Sequence, residues 1–316
     1  MQMNEIPLIS ICIPAYKRLA YLQRLLDSIK IQTYKNYEII ITDDSADETV
    51  KDFTENYRDI ASIKYYKNEE PLGTPENWNE SIRKANGKWI KLMHDDDWFA
   101  DENSLEVFAD AIEKSEGCPF IFCAHNNVDE SSGEVAPVHL NLVGKSLLRQ
   151  SPLNLMKRQF IGAPSNTLIR KDLELFYDNR FKWVVDFEFY IRCLRKTECF
   201  HYIDKELVNI GLNKEQVTQY TFRKPEIEIP ENHLMIEKLG YNILENIFVY
   251  DYYWRLYRNL GITDVKMIKE YYDHPVHPVL QQMIRFQKKI GSKLLRRGFF
   301  SKLFMTISYT RSLTNK

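Results

Sequence analysis

Three consecutive carboxylates, Asp95, Asp96 and Asp97, end the stretch Lys88–Trp98 and follow directly on an apolar run from Trp89 to Met93. Adjacent carboxylates do not stay ionised in an interior unless a cation or donor groups answer them. A strand that delivers them to its C-terminal end would set them where open α/β sheets bind ligands. Hard carboxylate oxygens, with no cysteine or second histidine close in sequence, suit Mg2+ or Mn2+ rather than zinc. The bland alternative is a solvated acidic turn that caps the next helix, because Asp is a good N-cap. His94 is a ligand candidate by position; a lone histidine at a strand end is more often packed or solvated, and it is not counted among the ligands. A second pair, Asp43-Asp44, ends the run Tyr37–Thr42. A further carboxylate, Asp186, stands among Trp183, Val184, Val185 and Phe187, an apolar setting that would raise its pKa toward a range useful for a base. Its bland alternative is a helix N-cap. Glu188 and Arg192, spaced i,i+4, read as a structural pair.

The elements that must position these groups alternate. Leu8–Ile13 is an apolar run stopped by Pro14 and predicts a buried parallel strand. Leu22, Leu25, Leu26 and Ile29 recur at helical spacing. Strands follow at Tyr37–Thr42, Ile63–Tyr66, Trp89–Met93 and Phe120–Ala124, separated by helices that start near Asp47, after Pro75 and at Ser104. This is the signature of an α/β, doubly wound, mostly parallel sheet with right-handed crossovers. Two of its strands end in Asp-Asp. In a parallel sheet those ends share one edge, so Asp43/Asp44 and Asp95–Asp97 are expected to face one cleft.

The 316 residues suffice for one large domain or two unequal ones; the formal net charge of -1 says nothing by itself about nucleic acid or membranes, and no nucleic-acid partner is expected. The five scattered cysteines have no metal-ligand spacing and predict reduced, buried thiols in a cytoplasmic protein. Neither a signal peptide nor a membrane-spanning stretch is expected.

Ile11-Cys12-Ile13-Pro14-Ala15-Tyr16-Lys17-Arg18, Ile39–Asp47, Asn77-Trp78-Asn79 through Gly87, and His94-Asp95-Asp96-Asp97-Trp98 together resemble the family 2 glycosyltransferases of GT-A fold. The resemblance continues through Ser165–Arg170 and Asp186–Arg192 and covers about residues 7–220. It implies a Rossmann-like catalytic domain over residues 1–220, with 221–316 as a helical C-terminal region. It also implies inverting transfer from a nucleotide diphosphate sugar, a UDP-sugar in the common case, to a hydroxyl of a glycan or lipid-linked acceptor in surface polysaccharide synthesis. By this resemblance Pro14, Ala15 and Tyr16 line the base and ribose, Asp43 accepts a hydrogen bond from the base, and Asp44 supports its loop. Asp95 and Asp96 belong to the nucleotide-sugar site. Asp97, with Asp95, ligates Mn2+ or Mg2+, and Asp186 matches the catalytic base. Two positions depart from the family's pattern. Glu76 stands where an arginine is common, which leaves Asn77, Asn79, Lys17 or Arg18 to meet the phosphates. No late histidine follows the last strand, where Asn213, Gln216 and Thr218 stand instead. Gly162–Ser165 reads equally as a turn or as a resting place for donor sugar or acceptor. The rival readings are a catalytically silent nucleotide-sugar binder and a nucleotidyltransferase; the latter would carry a glycine-rich loop, which Pro14–Arg18 is not.

From about Pro230 the pattern turns helical, a C-terminal appendage. No Asp or Glu follows Asp273, while Arg285, Lys288, Lys289, Lys293, Arg296, Arg297, Lys302 and Arg311 accumulate among Leu294, Leu295, Phe299, Phe300, Leu303 and Phe304. Such a basic amphipathic end suits an anionic membrane surface on the inner face of the cell membrane, near a polyprenyl-diphosphate-linked acceptor. Alternatively it is a solvated basic face packed on the body or on a second subunit in a homodimer.

Overall fold

The computed structural model describes residues 7–57, 59–60, 63–213 and 221–314. Strands β1 (Ile9–Ala15), β2 (Tyr37–Asp43), β3 (Ile63–Lys67) and β4 (Trp89–Leu92) run parallel in the order β3-β2-β1-β4. Every residue of β2 and β4 is buried, as expected where helices cover both faces of a sheet. The connecting helices are α1 (Leu19–Lys30), α2 (Thr49–Thr54) and α3 (Glu76–Lys84). Leu22, Leu25, Leu26 and Ile29 of α1 pack with Ile9, Ile11, Ile13, Ile39 and Ile41 in one apolar cluster. The helical spacing of the leucines and the unbroken apolar strands thus find each other without a polar mismatch. Gly87, just before β4, is held close to β1: a side chain there would meet Ser10 N at 2.7 Å.

Beyond β4 the sheet is mixed. It contains β5 (Asp97–Phe99), β6 (Phe120–Asp129), β7 (Val135–Val138), β8 (Thr167–Arg170) and β9 (His201–Leu212), in the order β4-β8-β6-β9-β5 with β7 beside β6. Only β6 and β9 pair in parallel here; β8 runs antiparallel to both β4 and β6. Three-residue β5 was not anticipated, because it lies inside the acidic motif. It exists because Asp97 to Phe99 pair with Val208 to Ile210 of β9. Between these strands run α4 (Ser104–Lys114), α5 (Leu142–Gln150) and α6 (Val185–Thr197).

The chain divides into two compact units. The first comprises residues up to Arg149, Phe160–Asn179 and Phe189–Gln216, and it holds the sheet. The second comprises Gln150–Gln159, Arg180–Glu188 and Val217–Lys316. Its longer helices among the described residues are α7 (Pro225–Leu239), α8 (Ile247–Leu260), α9 (Pro278–Ile290) and α10 (Gly298–Thr314). They close on buried aromatic side chains of α8, among them Tyr250, Tyr253, Trp254 and Tyr257. Cys12, Cys123 and Cys193 are free and buried, as the sequence suggests. Cys118 and Cys199 depart from that expectation: they form a disulfide between residues 81 apart, a pairing that sequence spacing alone does not reveal.

Candidate active site

The parallel half of the sheet determines where the acids fall. The carboxyl ends of β1, β2 and β4 lie side by side and lead into Tyr16–Arg18, Asp44 and Met93–Asp97 respectively. Ala15 N-terminal to the first loop pairs with Asp43, and Met93 N donates to Cys12 O at 2.9 Å, so the three ends are level. Open sheets bind ligands at such an edge, next to the strand where the order reverses.

The carboxylates there divide into three groups by their partners. Asp43 is wholly buried: Ser45 N donates to its Oδ1 at 2.8 Å, and Tyr65 OH and Lys67 Nζ donate to its Oδ2 at 2.7 and 3.1 Å. Asp44 accepts from Asn68 Nδ2 (2.7 Å), Leu72 N (3.0 Å) and Gly73 N (2.8 Å), which fastens the loop after β3. Asn77 joins the same fabric, receiving a bond from Asn68 and donating to the carbonyls of Ala15 and Thr42. It therefore ties strand ends together, and Glu76 beside it is paired with Arg83. Pro14 and Ala15 lie in β1, while the ring of Tyr16 is 51 % exposed above the edge.

Asp95 is gripped by Arg18, whose Nε donates to its Oδ2 at 3.1 Å and whose Nη2 binds its Oδ1. Burial pushes the Asp95 carboxyl up to about 7 while Arg18 opposes the rise. Arg18 also reaches Asp96 Oδ2 at 3.4 Å, and Asn213 Nδ2 donates to that oxygen at 3.2 Å. The loop expected to carry a histidine thus meets the acids through an amide; Gln216 and Thr218 lie outside the described residues.

The third group is Asp97 with His94 and Asp96. One ring nitrogen of His94 and one oxygen from each carboxylate lie within 4.8 Å of one another. Asp95, expected as a ligand beside Asp97, stands outside this group, and Arg18 bonds both of its oxygens. Asp97 is 2 % exposed; Gly211 N donates to its Oδ1 at 3.3 Å, and Ser165 also bonds its carboxylate. Burial, then repulsion from Asp96, drives its pKa well above the usual carboxylate range. Burial likewise lowers His94 to about 4, so its imidazole is neutral at pH 7. Its Nε2 is buried without a partner among the described residues, and its ring packs 4.5 Å from that of Trp78. A neutral imidazole beside two closely spaced carboxyl groups is a donor set that fits a divalent cation.

Several residues that support this turn gave little sign in the sequence. Ser165 Oγ accepts from His94 N at 3.0 Å, and the Ser165 carbonyl receives buried Lys91, which burial brings down to about 8. Arg24 donates to Asp96 O at 2.8 Å, stacks 3.8 Å over Trp98 and pairs with Glu130 at 2.6 Å. Arg24 and Glu130 are far apart in the chain, and only the completed sheet brings them together. Ser165 belonged to a recognisable motif, but its bonds to the acidic turn had no sequence signal.

Asp186 is in the second unit, in the first turn of α6. The chain before it is fastened by Glu231 of α7, whose carboxylate accepts from Lys182 N (2.9 Å), Trp183 N (2.8 Å) and Val184 N (3.2 Å). Glu188, fully buried, is paired with Lys238 at 2.9 Å. Asp186 Oδ1 is buried with no partner among the described residues, and desolvation raises the carboxyl to about 7. An enclosed carboxyl poised near neutrality is suited to taking up a proton. A separate cavity of about 490 Å3 in the first unit is lined by Ile82, Ile90, Leu92, Ile169 and Phe176, among others, and by none of these site residues.

A sheet of this order with an acidic carboxyl edge defines a GT-A glycosyltransferase fold. The chain belongs to glycosyl transferase family 2, whose sequence profile matches residues 10–174, just over half of its length. It is 30 % identical over 177 residues to an uncharacterized glycosyltransferase of Rickettsia conorii, covering 55 % of this chain and 27 % of that protein. The first curated relatives are thus matched over about a quarter of their length. A second relative, the GalNAc(5)-diNAcBac-PP-undecaprenol beta-1,3-glucosyltransferase of Campylobacter jejuni, is 26 % identical over 73 % of this chain and 77 % of its own. Among solved structures, TarS 1-349 of S. aureus in complex with UDP-GlcNAc superposes with a TM-score of 0.62 at 15 % identity, over 95 % of this chain and 89 % of that one.

Proposed function

We propose that this glycosyltransferase moves a sugar, with inversion, from a UDP-linked donor to a hydroxyl of a glycan or a polyprenyl-diphosphate-linked acceptor in surface polysaccharide synthesis. The observation that carries the reading is the acidic turn His94–Asp97 at the carboxyl edge, with a donor set suited to a cation. Two of the similar proteins support it: TarS was solved with UDP-GlcNAc, and the Campylobacter relative is named for an undecaprenol-linked substrate. Asp97, Asp96 and His94 would hold the cation, which would supply Lewis-acid stabilisation of the departing diphosphate. Tyr16 and Pro14 offer surface to the base and ribose, and Arg18 brings positive charge to the phosphate side. Asp186 takes the proton of the acceptor hydroxyl. Calorimetric titration with UDP, GDP and dTDP, with and without Mn2+, tests the donor site. Micromolar, cation-dependent binding of UDP is expected; binding of none of them to folded protein would refute the reading, and binding without turnover would mark a silent binder.

Membrane docking belongs to the same reading and rests on α10. That helix buries Ser301, Met305, Ser308 and Ser312, a mainly hydroxyl face that bonds Trp254 and Tyr250 through Ser301 and Ser308. Its bulky side chains face outward instead: Phe299 is 78 %, Leu303 46 % and Leu313 41 % exposed. Exposed Lys293, Arg296 and Arg297 precede them. A helix that hides hydroxyls and displays aromatics next to cations is matched to an anionic lipid surface, at about 1 kcal/mol per cation near it. No helix among the described residues is long and apolar enough to cross a membrane. Cosedimentation with vesicles containing phosphatidylglycerol is expected, weakened at least tenfold by the pair Phe299→Asp and Leu303→Asp. Equal behaviour with neutral phosphatidylcholine vesicles would sink the idea.

A further inference from the structure

We infer that His94 is a direct ligand of the cation and makes the site select a first-row transition dication, of the Mn2+ to Co2+ kind, over Mg2+. The inference rests on the cation-assisted donor reading above and adds to it which residue sets the choice of ion.

Four observations converge on the histidine. The three groups whose ligand atoms lie within 4.8 Å of one another are His94, Asp96 and Asp97, not three carboxylates. Asp95, the other acid of the turn, lies outside that group and is bonded through both oxygens to Arg18. His94 Nδ1 lies 3.9 Å from Asp97 Oδ2, too far for a hydrogen bond but within the span of two ligands on one ion. With bonds of roughly 2.1 Å, ligand atoms on an octahedral cation stand about 3 to 4 Å apart. Finally, neither ring nitrogen is committed within the chain: Nδ1 is beyond hydrogen-bond distance of Asp97, and Nε2 has no partner among the described residues.

The ring is also fixed. Trp78 packs against it at 4.5 Å, and the His94 backbone is tied to Ser165 Oγ, which also bonds Asp97. An imidazole pre-set in this way does not have to be ordered when the ion arrives. Its effect on selectivity follows from ligand chemistry. Mg2+ sheds water reluctantly and favours a shell of oxygens, whereas nitrogen ligands strengthen binding along the series from Mn2+ to Co2+. A turn with oxygen ligands alone would lack that preference.

The test uses the full chain with UDP and measures bound Mn2+ by electron paramagnetic resonance, with Mg2+ and Co2+ as competitors. The wild type is expected to prefer Mn2+ over Mg2+ by at least tenfold. Bound Mn2+ should show nitrogen echo modulation that changes when the histidines are labelled with 15N, a readout that needs neither turnover nor a variant. His94→Asp is expected to lower the Mn2+/Mg2+ preference about tenfold and to remove the modulation. Bound Mn2+ without nitrogen modulation, or an unchanged preference in folded His94→Asp, overturns the inference while the donor reading stands. If no Mn2+ binds with UDP present, the donor reading fails and the inference with it.

Discussion

Asp97→Asn is expected to abolish sugar transfer, lowering kcat by roughly 10^3-fold or more, and to remove the cation dependence of UDP binding. The magnitude is that of deleting one preorganised electrostatic group from a water-poor site. The substitution keeps the shape of the side chain. Burial and Asp96 hold the Asp97 carboxyl well above the usual carboxylate range, which makes an uncharged amide an acceptable replacement there in the cation-free protein. The fold is therefore expected to survive with Tm within about 2 °C of wild type. An unchanged melt separates this test from an ordinary destabilising mutation, since loss of turnover then cannot be assigned to unfolding. Asp95→Asn is the informative partner. Its carboxylate is bonded to Arg18 and lies outside the ligand group, so cation binding should persist although the Arg18 anchor is weakened. Single-turnover assays with UDP-sugar and manganese titrations decide both; undiminished turnover in Asp97→Asn would remove Asp97 from the reaction.

What could be read from the residues alone follows a physical line. The apolar runs of β1, β2 and β4 and the leucines of α1 are local patterns with one good structural solution, and the structure adopts it. That two strands ending in Asp-Asp share an edge also follows, because parallel strands align their carboxyl ends. What each acid then does depends on partners far away in the chain. Arg18 takes Asp95 from 77 residues away, and Ser165 meets His94 from 71. No periodicity encodes such pairings, so the division of three adjacent aspartates into an ion-paired one and two near a histidine was illegible. The disulfide of Cys118 with Cys199 was hidden for the same reason, and so was antiparallel β8 beside β4. The segments 150–159 and 180–188 belong to the second unit although they lie within the sequence span of the first. Their anchors, such as Glu231 to the backbone of Lys182–Val184, come from a helix some fifty residues further along.

Asp186→Asn should leave cation-dependent UDP binding intact and lower transfer by about 10^2- to 10^4-fold, the usual contribution of a general base. In the wild type, kcat should fall tenfold per unit as pH drops below about 7, because only the ionised carboxyl can accept a proton and burial holds its pKa there. Stability should run the other way. The folded pKa lies above the unfolded value near 4, so ionisation favours the unfolded chain as pH rises between these values, and the loss is complete above about 7. Replacing the carboxyl by an amide removes that penalty. Asp186→Asn should therefore raise Tm by roughly 2 °C at pH 8 and by less at pH 5. A structural N-cap would give the opposite sign, since losing a capping carboxylate destabilises a helix. Calorimetric melts at the two pH values, set beside the pH profile of kcat, therefore distinguish a base from a cap. Higher Tm with lost transfer identifies a carboxylate kept at a cost to the fold for the sake of the reaction, whereas a lower Tm with transfer retained would assign Asp186 to the helix alone.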